Sequence, residues 1–411
     1  MRGLILCSCL CFVLDGVRCE ANQEVEVSAF GSVSTKERRK ADASTGIESF
    51  IDKAEVKLGG MMRRRLESLL EDTFTDECRQ EVTDKFEDVY SRLISEDWLE
   101  WEREGWTSEC DKSRSPQATA PQKDPGSIKL TYLLLVHEQP YQIRRLVDVL
   151  DEPGYNFVIH VDGKESSQST YEDLAQFAAT RTNVYMMESG RQNISWGGFN
   201  IVQATLNGLQ HALVTLQLDF DWIINLSGYT YPLVSNHEIR EELARHPADT
   251  NFLELRPKPN APQSRAWHAF VECDNRMRRI WRHLPPRNID MYMGSQWMVI
   301  TPEFANYLLS DRQFAAQYRA YGRYTMVADE NFFVTVVKNS PFCNKHHNRN
   351  FLHVQFDQWE HQKEGRDPKK CLQPNPDHCG RSPTLNTIDF LPVLELGHNL
   401  FARKFDPDAD R

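Results

Sequence analysis

The chain has 411 residues, enough for one large domain or two ordinary ones, and its 40% hydrophobic and 26% charged content is that of a folded globular protein. A net charge of -11 excludes a bulk nucleic-acid binder, which needs a basic footprint, yet leaves room for a local basic pocket facing an anion. The chain opens "MRGLILCSCLCFVLDGVRCEA". Arg2 followed by the apolar stretch Leu4 to Leu14 fits a signal peptide or short anchor over residues 1–19, with cleavage near Arg18 to Ala21. The stretch is short for a membrane span of about 20 residues; a buried N-terminal strand or helix is the alternative. Residues 20–45 are polar and read as a flexible stem. From Gly46 to about Trp106, apolar residues recur at three- and four-residue spacing among many charges, which predicts amphipathic helices, the first broken at Gly59 and Gly60. "DKSRSPQATAPQKDPG" (111–126) is a linker, so the stem is set at 20–126 and the main domain at 127–411.

In that domain, strands alternate with helices. "IKLTYLLLVHE" (128–138), "YNFVIHVD" (155–162), "NVYMME" (183–188) and "DWIINLSG" (221–228) are the strands, and a long helix spans 197–216. The alternation predicts an α/β fold with a mostly parallel, doubly wound sheet. Ligands of such sheets sit at the carboxyl ends of the strands, where His137, Asp162 and Ser227 fall. No GxGxxG follows the first strand, so a dinucleotide dehydrogenase has no support.

Several short segments could carry chemistry. Asp162 is either a turn aspartate or an acceptor for a base or ribose. In "NISWGGF" (193–199), Gly197 and Gly198 let the backbone approach a ligand and Trp196 offers a stacking face; a helix-entry turn with a buried Trp is the other reading. Asn193 and Asn225 are glycosylation sequons, the second expected to be buried in a strand and unused. "DFD" (219–221) spells the acidic motif of metal-dependent sugar transferases, but it precedes a strand where such a motif follows one, so a solvated turn is expected. In "VADENFFVTVVKNSP" (327–341), Phe332, Phe333, Val336 and Val337 form one helical stripe, and Asp329 and Glu330 precede it. Acids there complement the helix dipole, or one of them is a catalytic base. In "FARKFD" (401–406), Arg403 and Lys404 are a surface pair or two cations that neutralise a diphosphate leaving group.

Cys7, Cys9, Cys11 and Cys19 lie in the N-terminal stretch. Cys78, Cys110, Cys273, Cys343, Cys371 and Cys379 remain, an even set that suggests disulfides in an oxidising compartment. "KKCLQPNPDHCGRSP" (369–383) looks like a disulfide loop, Cys371 to Cys379, presenting Ser382. None of the cysteines has zinc spacing.

Taken in order, "LLLVHE", "VIHVD", "SWGG", "DWIINLSG", "YPL", "GSQW", "ADENFFVTVVKNSP" and "FARKF" resemble the family of core-2/I-branching N-acetylglucosaminyltransferases and protein xylosyltransferases. "CRQEV" (78–82), "FVECDNRMRR" (270–279), "NSPFC" (339–343) and "CGRSP" (379–383) look closer to its xylosyltransferase branch. The resemblance implies a GT-A nucleotide-sugar transferase fold and an inverting transfer from a UDP-sugar, with no metal or other cofactor. By position, Glu330 matches the base. Leu135, His137, Asp162, Ile194, Ser195 and Trp196 match the nucleotide-sugar site; Gln296 and Trp297 face the donor sugar; and Ser382, Arg403 and Lys404 match the diphosphate contacts. The resemblance also carries a disulfide proposal: Cys78–Cys343, Cys371–Cys379 and Cys110–Cys273. Two positions depart from the pattern. Gln296 stands where the xylosyltransferase branch has Asp, and Thr230 where many relatives have Asp. The sequence stops at Arg411, just past "FARKFD", so the further C-terminal domain of animal xylosyltransferases is not expected.

The implied function is transfer of xylose, or of N-acetylglucosamine, to a protein serine or a glycan hydroxyl in the ER or Golgi lumen. The enzyme would be secreted or held to the membrane by its N-terminus, with no nucleic-acid partner. A catalytically inactive nucleotide-sugar or glycan-binding protein is the rival of another class.

Overall fold

The structure is a computed structural model that describes residues 57–94, 106–111, 113, 120–256, 268–282, 288–311, 313–356, 383 and 391–405. The expected signal segment 1–19, the polar stem up to residue 56, Cys371, Cys379 and Ser382 lie outside the described residues. Two helices come first, α1 (Lys57–Glu71) and α2 (Asp76–Ile94). The alternating core follows: β1 (Leu130–Val136), α3 (Pro140–Leu150), β2 (Asn156–Val161), α4 (Gln168–Ala178), β3 (Val184–Met186), α5 (Asn200–Gln210) and β4 (Trp222–Ser227). A short β5 (Tyr231–Pro232), α6 (Asn236–Ala244) and β6 (Asn251–Leu255) lead to a hairpin of β7 (His268–Cys273) and β8 (Arg276–Arg282). Then come β9 (Gly294–Ile300), α7 (Pro302–Leu309), α8 (Phe314–Gly322), α9 (Phe332–Asn339), β10 (His346–His347), β11 (Leu352–Val354), α10 (Leu391–Leu396) and β12 (Phe401–Arg403).

The central sheet runs β10-β6-β9-β4-β1-β2-β3. β1 pairs in parallel with both β2 and β4, while β9 runs antiparallel to β4 and β6. This is the mostly parallel sheet that the alternation predicts, with one reversed strand. Every residue of β1 is buried, because helices cover both faces. Successive side chains alternate between two cores. Tyr132, Leu134 and Phe157 meet Ile143 of α3 and Leu174 of α4 on one face. Leu133, Leu135 and Val158 meet Leu206 of α5 and Phe332 of α9 on the other. The stripe Phe332, Phe333, Val336 and Val337 is fully inside. Asn225 is buried in β4, as its strand position predicts; its amide bridges Gln296 O (2.9 Å) and Met298 N (2.7 Å) where β4 and β9 stop pairing through the backbone.

Two expectations need correction. Gly59 and Gly60 do not break the first helix; they lie inside α1, near its start. Helix termini lack some intrahelical bonds anyway, and the apolar contacts that hold α1 come later, at Met62, Leu66 and Leu69. The disulfide partners are also exchanged. Cys78 bonds Cys273, and Cys110 bonds Cys343, with Cα separations of 5.4 and 5.7 Å. The reason lies in the packing. The β7–β8 hairpin lies on α1 and α2, where Val271 and Ile280 share a core with Val82 and Phe86, and this sets Cys273 beside Cys78. The segment 106–111 instead docks on α7 and α8. Trp106 stacks edge-on against Phe314, Tyr318 and Tyr321, and Glu109 accepts from the Tyr307 hydroxyl (2.6 Å) and Phe314 N (3.0 Å). That carries Cys110 to Cys343.

Candidate active site

The carboxyl ends of β1, β2 and β4 share one edge, with Leu135 level with His160 and Ser227. Asp162 follows β2 and is buried; its N–H donates to Val136 O at 2.8 Å. Its carboxylate accepts from Lys164 N at 3.0 Å and pairs with Lys164 Nζ at 3.4 Å. The same ammonium donates to Ile194 O, so the end of β2 is joined to the 191–195 loop. A second link is His160, whose Nε2 accepts from Gln192 N at 3.0 Å; burial pushes its pKa down to about 4. His137 stands at the rim, exposed and 2.9 Å from Glu138, which also accepts from the Tyr229 hydroxyl.

Beyond this loop the chain turns tightly. Gly197 has φ +79°, a left-handed conformation open to glycine. Trp196 is 73% exposed, which removes the buried-tryptophan reading and leaves a free aromatic face at the strand ends. The Gly197 carbonyl accepts from Val327 N at 2.7 Å. Val327 opens the short turn Ala328–Glu330, which packs on β9 and places Glu330 immediately before Asn331, the N-cap residue of α9. Among the described residues the Glu330 carboxylate has no hydrogen-bond or ion-pair partner, so it is not spent on capping the helix.

Arg403 and Lys404 arrive from the chain's end. β12 pairs with β11 and β5, and Phe405 N donates to Tyr229 O at 2.9 Å while Gln142 donates to Phe405 O at 2.8 Å. The Arg403 guanidinium lies 4.8 Å over the ring of Trp297 on β9, and Lys404 Nζ lies 5.8 Å from the ring of Tyr229. Arg403 is therefore half-buried rather than a free surface cation. Burial drives its pKa down to about 10, against the opposing pull of Asp329, and its Nε is buried without a hydrogen-bond partner. Gln296 lies beside Trp297, its side chain partly exposed. Thr230 is fully buried, and its hydroxyl accepts from Ser227 N at 3.2 Å, a turn-closing role that a neutral group fulfils.

The site thus gathers Leu135, Asp162, Ile194, Ser195, Trp196, Gln296, Trp297, Glu330, Arg403 and Lys404 around the strand ends, with His137 at the rim. Ser382 is outside the described residues. Asp219 and Asp221 are elsewhere, at the starts of β1 and β4, where they hold Lys129 and Lys123. With about 3.3 Å per residue along β4, that is roughly 20 Å from the site. Two contributors went unassigned in the sequence reading. Asp329 was read with Glu330 as one acidic pair, although it is the charge of Asp329 that acts on Arg403. Glu272, half-buried on β7, accepts from Ser195 N (2.9 Å) and Asn200 N (2.7 Å); the only signal for it was the quoted "FVECDNRMRR".

Comparison with known proteins supplies a family. A family model described as "Branch: Core-2/I-Branching enzyme" matches residues 130–378. Xylosyltransferase 2 of Rattus norvegicus is 29% identical over 291 residues, covering 69% of this chain and 32% of the rat protein. Xylosyltransferase 2 of Homo sapiens is 29% identical over 302 residues, covering 72% of this chain and 34% of the human protein. The matched region is thus about a third of those relatives' length. A solved structure, mouse xyloside xylosyltransferase 1 in its apo form, is 12% identical with a TM-score of 0.32, covering 68% of this chain and 98% of that one. The chain belongs to the core-2/I-branching enzyme family, a family of glycosyltransferases.

Proposed function

We propose that the protein is an inverting glycosyltransferase that moves a sugar, xylose in the first place, from a UDP-sugar to a protein serine or glycan hydroxyl. The carrying observation is the Arg403 guanidinium: half-buried and stacked on Trp297, its Nε enclosed without a hydrogen-bond partner, and facing Asp329, the residue before Glu330. A desolvated cation with a spare N–H is an anion site, and an unpaired carboxylate on the adjoining turn is a base. In this reading Glu330 takes the proton of the acceptor hydroxyl as its oxygen attacks the anomeric carbon. The bond from that carbon to the UDP oxygen breaks, and the electron pair leaves with the diphosphate. Arg403 and Lys404 neutralise that charge in the role a metal has elsewhere. Asp219 and Asp221 are occupied by lysines at the other end of the strands, which favours the cation mechanism.

Xylose is favoured by the relatives' names. Gln296, an amide beside Trp297, favours N-acetylglucosamine as the second donor, because an amide offers a donor and an acceptor where a carboxylate offers acceptors alone. The two disulfides support a lumenal, secretory-pathway location. The test is UDP release from UDP-xylose and UDP-N-acetylglucosamine in EDTA, with a serine-glycine peptide and a galactoside as acceptors. Acceptor-dependent release from one donor names the sugar. Release only after a divalent metal is restored overturns the cation mechanism, and UDP binding without release favours the non-catalytic reading.

A further inference from the structure

Glu272 takes no part in the transfer just described, yet it is built into the site. Its two carboxylate oxygens each accept one backbone N–H, Oε1 from Ser195 at 2.9 Å and Oε2 from Asn200 at 2.7 Å. These amides bracket the Trp196–Gly198 turn, and Asn200 N is the first amide of α5, so the same carboxylate caps that helix. Gly198 lies directly over it: a Cβ there would overlap the carboxylate. Burial pushes the Glu272 carboxyl up from its ordinary value even though both amides favour the ionised form, a sign of a constrained group.

The residue is anchored from behind. Neighbouring Cys273 is bonded to Cys78 of α2. Asp274 accepts from Phe74 N and Thr75 Oγ1, both at 2.7 Å, and buried Arg278 pairs with Asp72 at 2.7 Å. In front, the turn hands on to the base, because the Gly197 carbonyl holds Val327 N at 2.7 Å.

We propose that Glu272 is a positioning residue. It holds the Ser195–Asn200 turn, and through Gly197 the Ala328–Glu330 turn, in the geometry that binds the donor nucleotide, with α1 and α2 as its anchor. The donor half of this rests on the function proposed above. The full chain with intact disulfides is compared with Glu272→Gln and Glu272→Ala by amide hydrogen exchange, thermal unfolding and UDP titration. Gln keeps the shape but offers one acceptor and turns an NH2 donor toward an N–H donor.

Both variants are expected to lose exchange protection over residues 193–200 while β1 keeps its own, and to bind UDP about tenfold more weakly, the scale of a lost charge-assisted hydrogen bond. A Gln variant that matches wild type in both readouts overturns the two-acceptor clamp. Protection lost equally in β1 overturns positioning in favour of a general stability role. Faster exchange with unchanged UDP affinity overturns the donor half alone. A wild-type chain that does not bind UDP overturns the donor reading and the donor half with it, while the exchange data still decide the clamp.

Discussion

At the scale of single residues, Glu330 and Asp329 show how neighbours acquire different work. Asp329 faces Arg403, whereas Glu330 keeps a carboxylate with no partner among the described residues. Glu330→Gln is therefore expected to cut kcat by roughly a hundredfold to ten-thousandfold, the usual worth of a general base, and to leave UDP affinity within twofold or so. A variant that turns over normally would remove Glu330 from the mechanism. His160 gives a prediction of another kind. It is fully buried, and burial holds its pKa at about 4 although Asp162 pulls the other way. In the unfolded chain an imidazole titrates near its ordinary value of about 6.5. Between those values the unfolded chain takes up a proton that the folded one refuses, so stability falls as pH falls, by about 2 kcal/mol at pH 5. Urea unfolding at pH 7 and pH 5 should show this loss shrinking by about that much in His160→Gln; an unchanged loss would assign it to other groups. Much at this scale was legible because strand ends in an α/β sheet are privileged places, and Asp162 and Trp196 sit there. Glu272 was not legible, since its partners are backbone amides more than seventy positions earlier.

At the scale of elements, the strands of the α/β core were readable because both faces of the sheet are covered, which makes each strand a nearly unbroken apolar run. The reversed strand β9 was not, because direction in a sheet leaves no mark on apolar pattern. The approach of α5 to β1 was equally hidden, and it depends on Gly208. A Cβ there would overlap Leu133 Cδ1 and stand 2.8 Å from Cδ2. Leu133 is wholly enclosed, so it can yield only by displacing its neighbours. Ala would gain about 1 kcal/mol of helix propensity over Gly, but overpacking costs roughly 1–3 kcal/mol. Gly208→Ala should thus be net destabilising in denaturant, with kcat unchanged in what remains folded. A stabilised variant would show that Leu133 yields freely and that the helix does not press on the sheet.

At the scale of the whole molecule, segments before the sheet are tied to it at two separate places. The helices α1 and α2 hold the hairpin that carries Glu272, through Cys78–Cys273. The 106–111 segment is held on α7, α8 and the end of α9 by Trp106, Glu109 and Cys110–Cys343. Sequence could supply the cysteines but not this division, because which pair meets depends on where two remote segments dock. A non-reducing digest should yield peptides linking Cys78 to Cys273 and Cys110 to Cys343; a Cys78–Cys343 peptide would contradict the packing described. The second bond closes a separation of 233 residues, so its loss frees a large unfolded ensemble. Replacing Cys110 and Cys343 together by Ala should cost roughly 2 to 5 kcal/mol in guanidinium unfolding. The native fold should nonetheless persist, because Trp106 and Glu109 keep their contacts on α7 and α8 without the bond. UDP binding then separates two accounts of this tether. Unchanged affinity in the double variant would make it a stabiliser remote from the donor site, which is the expected result given that Trp106, Glu109 and Cys110 meet α7, α8, Asn339 and Cys343. A large loss of affinity at full folding would instead mean that α9, whose far end leads to Cys343, transmits strain to Glu330 before its start.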